Sequence, residues 1–366
     1  MNEQLLNQII LLAIPIFSFF MVGEFLYGLA IGKNTYQLND AISSLSQGLL
    51  SQAILFCLVF FQIGAYELLY LHFGATALTR FWESWYGWIG AFFIYDFLDY
   101  WLHRTSHQSA LLWGSHVVHH QSQLFNFSTA LRQESFFPVI ACFFFAVMAL
   151  LGIPPYQFVL IGLFVLIYQF WIHTEHIGKL GWFDSLFSSP SNHRVHHAIN
   201  GEYIDKNFGA VLIIWDRIFG TYQEEKSACI YGTQTPLNSW NPLWALSSVF
   251  VKLYKKSRYY PGLATKLKIF FKNPAWKPHA QETENDELKT NAFLSYGSPL
   301  AGSRKWAAVI IFSMTTLFSI YFFITVDQYT YLAKVIYMIM ISTSLYSVGV
   351  FMEQKKESQL NQSSFT

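Results

Sequence analysis

Long apolar runs dominate this chain, and its polar residues gather between and after them. A helix needs about 20 apolar residues to cross the hydrocarbon core of a bilayer. Four runs reach or approach that length: Ile9–Ile31, Leu49–Leu71, Trp306–Val326 and Tyr331–Gly349. The pattern therefore predicts four membrane-spanning helices.

Three shorter apolar runs lie between the second and the third of these. They are Tyr86–Leu102, Phe137–Leu151 and Phe158–Ile172. The last two are joined by Gly152–Pro155, whose Gly and Pro residues favour a turn and therefore a helical hairpin. Helices of this length either just cross a bilayer or re-enter it.

The stretch Ile177–Arg304 is polar and is predicted to lie outside the bilayer, with an acidic linker at Gln281–Thr290. Within it, Pro242–Lys256 mixes large apolar residues with lysines, as in a helix that lies along lipid headgroups. We therefore predict an all-α integral membrane protein, in which a transmembrane helical bundle carries a cytosolic, histidine-rich helical cap.

Composition supports a lipid environment and excludes some partners. Hydrophobic residues make up 53% of the 366 residues and charged residues only 12%, against about 25% charged in ordinary soluble domains. The net charge of +1 offers no broad basic surface for nucleic acid. The three cysteines lack the spacing of a disulfide framework, so thiol chemistry is not expected.

Basic residues predict the orientation in the membrane. Most fall on one side if the hairpin returns to its starting face, and the positive-inside rule makes that side cytosolic. The amino terminus is then outside, and the active site faces the cytosol. The residues are Lys33, Arg104, Arg132, Lys179, Arg194, the Lys252–Arg258 cluster and Lys355–Lys356.

Histidines carry the candidate chemistry. Ten of the twelve fall into four short groups, and helical spacings of three and four place such side chains on one face. The groups are His103 and His107; His116, His119 and His120; His173 and His176; and His193, His196 and His197. The isolated His72 and His279 are interpreted as ordinary interfacial histidines.

This many imidazoles predicts two metal ions, since a single zinc takes about four ligands. Iron is favoured over zinc because nitrogen-rich sites with open positions suit O₂ activation. A zinc peptidase would need His-Glu-x-x-His, and His173-Thr174-Glu175-His176 has the wrong order. Ferritin-like sites need Glu-x-x-His pairs, which these groups lack.

Three further residues are candidates to orient the ligands or assist the reaction. Asp99 precedes His103 by one helical turn inside an apolar run, where a carboxylate is costly. Contact with water at a helix end is the alternative explanation. Arg132 and Asp205 are weaker candidates, because a turn or surface role explains them equally well.

Several motifs together resemble the fatty acid hydroxylase superfamily, and within it most of all the alkylglycerol monooxygenase family. The likeness runs from about residue 36 to 222. It rests on the histidine order and on Tyr100–Arg104, Asn126–Gln133, Tyr168–Glu175, His193–His197 and Val211–Asp216.

The resemblance implies two iron ions held by all the grouped histidines, with His176 matching the family pattern least. It implies hydroxylation of the carbon next to the ether oxygen of an alkylglycerol, with O₂, a lipid from the bilayer and tetrahydropterin as reductant. At one position the chain departs from the family, because Gln108 stands after His107 where the family has a glutamate. The reductant and the exact lipid therefore stay open.

Two alternatives remain: a sterol or fatty-acid hydroxylase or desaturase of the same superfamily, and a non-catalytic metal-binding membrane protein. The predicted regions are 1–80, N-terminal transmembrane helices; 81–222, the catalytic region with the two-metal site; 223–303, an interfacial segment and linker; and 304–366, C-terminal transmembrane helices and tail.

Overall fold

The computed structural model describes residues 3–58, 60–277, 296 and 302–353. These residues contain no β-strand, only two isolated antiparallel bridges. The α-helices are α1 Glu3–Ala30, α2 Leu38–Cys57, α3 Ala65–Phe73, α4 Thr79–Glu83, α5 Trp85–Gln108, α6 Ala110–His120, α7 Phe127–Ala130, α8 Phe137–Leu150, α9 Pro155–Trp171, α10 Phe183–Leu186, α11 Pro190–His197, α12 Ile214–Ile218, α13 Pro242–Arg258, α14 Leu263–Phe271, α15 Gly302–Thr325 and α16 Tyr331–Met352.

Among the residues that the structure describes, two helical segments are long and apolar enough to cross a membrane. They are α15 with the short 3₁₀ turn that follows it, Gly302–Gln328, and α16. The two helices pack along each other and against α2. Shorter apolar helices occur in α1 from Ile14, in α8 and in α9. The all-helical class and the two C-terminal candidate spans are therefore confirmed.

The predicted span Leu49–Leu71 is not one helix. The backbone leaves α2 at Leu58, and a π-helical turn at Phe60–Gly64 comes before α3. Hydropathy adds up side-chain polarity and carries no information about where the backbone leaves the helix. In addition, α2 begins eleven residues before this run, and its first half buries polar side chains such as Ser44 and Gln47 inside the protein.

The central helix α5 packs against both α8 and α9, which carry the predicted hairpin. The connection requires glycine at position 152, where φ is +77°. A Cβ there would also lie 2.4 Å from the carbonyl oxygen of Ala75. The hairpin brings the end of α9 back to the same end of α5 that carries His103 and His107.

The histidine-rich cap is only partly helical, which corrects the sequence prediction. Between residues 177 and 241 the chain forms three short helices, α10 to α12, joined by irregular loops. Buried side chains rather than helical hydrogen bonds hold these loops, with Asn207 and Asp216 as the main examples. The linker Gln281–Thr290, His279 and Lys355–Lys356 lie outside the described residues.

Candidate metal centre

Nine of the ten grouped histidines converge, and they do so as two adjacent groups. The five-histidine group takes two residues from α5, two from α6 and one from α11, namely His103, His107, His116, His120 and His196. The four-histidine group consists of His119, His173, His193 and His197. Within each group the ligand atoms lie within 4.8 Å of one another.

Helices α6 and α11 contribute to both groups by the same rule. On α6, His116 and His120 are four residues apart and face the five-histidine group, while His119 faces the other. On α11, His193 and His197 are four residues apart and face the four-histidine group, while His196 faces the five-histidine group. The rings of His120 and His197 stack at 4.4 Å, so the groups are direct neighbours.

The outer ring nitrogen of most ligands is already bound to the protein. Such partners fix the ring orientation and the tautomer of a metal ligand. The Nδ1 pairs are His103 with the Phe208 carbonyl at 2.8 Å, His196 with the Lys206 carbonyl at 2.9 Å, His119 with the Arg132 carbonyl at 3.0 Å, His173 with the Gln169 carbonyl at 2.7 Å, His116 with Glu134 at 2.6 Å and His107 with Asp205 at 3.4 Å.

These contacts leave lone pairs pointing at each other across the centre. A carbonyl oxygen or an ionised carboxylate only accepts, so the neutral ring bound to it carries its proton on Nδ1 and a lone pair on Nε2. Yet Nε2 of His119 lies 3.2 Å from Nε2 of His173, and the same atoms of His103 and His116 are 3.0 Å apart. A cation between the lone pairs removes this repulsion. The nine residues therefore fit two metal ions.

The environment also keeps the rings in the form that binds metal. Burial, and then the neighbouring imidazoles, lower the pKa of His119 to about 4 and that of His196 to about 3. The pKa values of His103, His107, His120, His173, His193 and His197 are lowered well below the usual value for the same reasons. Neutral imidazole is the ligating species.

Sequence reasoning missed Glu134, the carboxylate that binds His116. Burial alone would raise the pKa of Glu134, but the His116 ring and its hydrogen bond outweigh burial and lower it. The residue stands fourteen positions beyond the nearest histidine group, after the turn of α7. No spacing rule connects it to that group, so only the fold reveals the contact.

The loop Asp205–Phe208 holds three ligands of the five-histidine group. Its side chain at Asp205 and its carbonyls at Lys206 and Phe208 face the outer nitrogens of those rings. Asp205 and Asn207 adopt φ values of 57° and 56°, which are uncommon outside glycine. The Asn207 amide donates to two backbone carbonyls and holds this shape.

Two buried carboxylates hold the carboxy-terminal end of that loop and the residues that follow it. Asp216 accepts hydrogen bonds from the backbone N–H groups of Phe208 and Gly209. Asp96 on α5 accepts two more, from Val211 and Leu212. Asp96 thereby fixes the residues after the loop against the helix that supplies His103.

Comparison with known proteins identifies the family of this chain. Residues 88–221 match the family model described as fatty acid hydroxylase. The alkylglycerol monooxygenase of Homo sapiens is 33% identical over 95% of this chain and 78% of its own length. This chain belongs to the alkylglycerol monooxygenase family. The enzymes of the same name from Danio rerio and Xenopus tropicalis are 38% and 35% identical, over 66% and 72% of this chain and 54% and 58% of their own lengths. No solved structure matches.

Of the other predicted site residues in this family member, two contact a ligand. Asp205 faces His107, and the Arg132 carbonyl accepts from His119. The Arg132 guanidinium points away, to the Val118 carbonyl, Ser43 and Gln121, and burial lowers its pKa to about 10. Asp99 is buried and makes no hydrogen bond to the residues that the structure describes, and the charges that act on its carboxyl group are those of Asp96 and Glu134.

His176 is not brought into either group. Helix α9 ends at Trp171, so the turn from His173 to His176 is not helical and the spacing of three no longer places the two rings on one face. The His176 ring instead packs edge-on against Tyr27, with centroids 5.3 Å apart.

Aromatic rings close the centre on several sides. Phe208 packs against His103, His107 and His196, and Trp113 packs against His107 and His120. Phe125 stacks on His173. Apolar rings here exclude water, which strengthens every electrostatic interaction inside the site.

Proposed function

We propose that this chain is a di-iron monooxygenase that hydroxylates the carbon next to the ether oxygen of an alkylglycerol lipid taken from the bilayer. The observation that carries the proposal is the pair of adjacent histidine groups, whose facing lone pairs call for two cations. The family supplies the substrate class, because its relatives are named alkylglycerol monooxygenases. Two iron ions bound there supply O₂ activation.

The reaction balances with one external reductant. One oxygen atom enters a C–H bond, and the other leaves as water with two electrons and two protons from the reductant. The hydroxylated product is a hemiacetal, which breaks into an aldehyde and a glycerol derivative. We propose tetrahydropterin as the reductant, although Gln108, exposed beside His107, replaces the glutamate of the family pattern.

The chain's own residues hold and shield the centre. The nine imidazoles position the two cations, and Glu134 and the loop Asp205–Phe208 keep the rings oriented. The rings of Phe125, Phe208 and Trp113 keep water away from the reacting carbon. We propose residues 81–222 as the catalytic region, and Asp99, Arg132 and Asp205 as the residues that support the histidine ligands.

We also propose that the centre faces the cytosol of a multi-pass membrane protein. The support is the one-sided distribution of basic residues and the two apolar segments α15 and α16. Cysteine labelling with a membrane-impermeant reagent tests this orientation. A single cysteine is introduced in turn at position 201 and at position 330. Reaction at position 201 in intact cells would contradict the orientation.

The decisive test is product analysis with the purified, iron-loaded protein. The substrates are an alkylglycerol, a free fatty acid and a sterol, each with ¹⁸O₂ and with or without tetrahydropterin. We expect aldehyde from the alkylglycerol only, dependent on the pterin. A hydroxylated or desaturated acid or sterol would favour the other branches of the superfamily. Absence of product and of O₂ uptake with all three lipids would favour a non-catalytic metal-binding protein.

A further inference from the structure

The helices α13 and α14 form a hairpin, Pro242–Lys277, with an extreme charge balance. It carries eight of the chain's 23 lysines and arginines and none of its 22 acidic residues. A chain with a net charge of +1 therefore concentrates its positive charge in one small element. The basic residues are Lys252, Lys255, Lys256, Arg258, Lys266, Lys268, Lys272 and Lys277.

Most of these charges lie on the surface and are unpaired. Lys256 is half-buried and donates to the Trp276 carbonyl. The others are exposed. Among the residues that the structure describes, no ion pair involves Lys252, Lys255, Arg258, Lys266, Lys268 or Lys272. The surface therefore offers its charge to a partner.

Large apolar and aromatic side chains stand exposed among the charges. Tyr259 is 83% exposed and Leu263 is 72% exposed, and Tyr254 and Phe271 are also exposed. Tyrosine favours the membrane interface, where its ring is in apolar surroundings and its hydroxyl is in water. This mixture is typical of an element that lies in the headgroup region of a bilayer.

The hairpin begins where a candidate membrane span ends. A Cβ at Gly349, in the last turn of α16, would lie 2.8 Å from the Cα of Asn241, which caps α13. The backbone N–H of Trp240 donates to Glu353 at 2.8 Å. Since α16 spans 22 residues, or roughly 33 Å as a helix, its end lies at the level of the headgroups and α13 starts there.

The same hairpin packs against α6 and is hydrogen-bonded to it, and α6 carries three of the converging histidines. The backbone N–H of Ala110 donates to the Lys272 carbonyl at 2.9 Å, and Gln121 donates to the Ala245 carbonyl at 3.1 Å. Between these points the Phe250 ring fills the space beside Gly114, where a Cβ would lie 2.7 Å from it. The basic surface is therefore rigidly attached to the metal-bearing helix.

We infer that the α13–α14 hairpin is a binding surface for anionic lipid headgroups. Its cations bind lipid phosphates that carry net negative charge, and its exposed rings enter the boundary of the acyl chains. Phosphatidylglycerol therefore binds in preference to phosphatidylcholine, and salt weakens this preference.

Competition between the two lipids tests the inference. The full-length, metal-loaded protein in detergent is offered equal amounts of phosphatidylglycerol and phosphatidylcholine, and native mass spectrometry counts the lipids retained. We expect the wild-type protein to prefer phosphatidylglycerol. The variant K252Q/K255Q/R258Q/K266Q/K268Q removes five positive charges from the hairpin. We expect it to lower the preference for phosphatidylglycerol by roughly tenfold or more.

A charge-matched variant is the control. It removes five exposed cations elsewhere and is expected to keep the preference: K33Q/R80Q/K179Q/R217Q/K226Q. Metal content and melting temperature confirm that both variants are folded. Equal loss in both variants, or no preference in the wild type, would overturn the inference. A preference that appears only after E282Q/E284Q/D286Q/E287Q would also overturn it, because the chain's own acidic linker would then be the partner.

Discussion

Four of the converging imidazoles use their two nitrogens for different purposes. The outer nitrogen of His173, for example, donates to the Gln169 carbonyl, and this contact leaves the inner nitrogen with a lone pair. The same division holds at His103, His119 and His196. Backbone carbonyls are therefore part of the metal centre, although they appear in no sequence motif.

Changing His173 to alanine should remove one metal ion and leave the other. The four-histidine group would keep three ligands, while the five-histidine group is untouched. We expect metal content to fall from about two ions per chain to about one. His176→Ala is a matched control three positions away, because the His176 ring lies outside both groups. Elemental analysis of the purified proteins measures both, and equal loss in the two variants would contradict the assignment.

Glu134→Gln should weaken metal binding without removing a ligand. The amide is a poorer acceptor than the carboxylate, so His116 becomes a less basic ligand, and changes to such partners typically cost 10–100-fold in metal affinity. Competition with a chelator measures the affinity. Glu83→Gln, at an exposed carboxylate far along the chain, is the control. Unchanged affinity in Glu134→Gln would show that the contact at 2.6 Å has no effect on the metal.

The convergence of the histidines was predictable from sequence because most of them lie on helices. Spacing of three and four reports a shared face on α5, α6 and α11, and all eight histidines on those helices converge. Outside a helix the same spacing has no such meaning, and His176 is the result. Glu134 and the loop carbonyls were not predictable, since their positions follow from tertiary contacts alone.

At the scale of elements, the loop Asp205–Phe208 has the largest influence on the centre. Asn207→Ala should displace it, because alanine disfavours the left-handed backbone at φ 56° and loses both amide hydrogen bonds. The carbonyls of Phe208 and Lys206 then move out of hydrogen-bonding position for His103 and His196. We expect roughly tenfold weaker metal binding or more, measured by chelator competition.

Asn200→Ala is the control for that loop. Its amide also bonds the backbone, to Ala228 and Ile230, but none of its bonds reaches a ligand or a residue that holds one. The control should keep wild-type metal affinity even if its melting temperature falls. An equal loss of affinity in both variants would mean that general destabilisation, not loop geometry, explains the effect.

The apolar runs predicted some elements correctly and others only in part. The hairpin of α8 and α9 was visible because Gly152 and the following prolines mark a turn. The break after Cys57 was not visible, since the run stays apolar while the backbone leaves the helix at Leu58. The irregular loops of residues 177–241 were also hidden, because buried polar side chains, not local propensity, hold them in place.

Across the whole molecule, eight buried imidazoles with lowered pKa values couple stability to pH. Burial lowers the pKa of His119 to about 4 and that of His196 to about 3, against about 6.5 in the unfolded chain. Below pH 6.5 these histidines bind protons in the unfolded state but stay neutral in the native state. The buried histidines therefore do not lower the free energy of unfolding of the metal-free protein above pH 6.5. That free energy falls progressively as the pH drops from 6.5 towards 4.

Denaturation of the metal-free protein across this pH range measures the effect. A variant with His119 and His173 changed to glutamine has fewer titrating rings, so its stability should depend less steeply on pH. Bound metal opposes the protons, because it binds only the neutral rings, and should shift the loss to lower pH. A wild-type stability that stays level from pH 7 to pH 5, with or without metal, would mean that the histidines are not buried together as neutral rings.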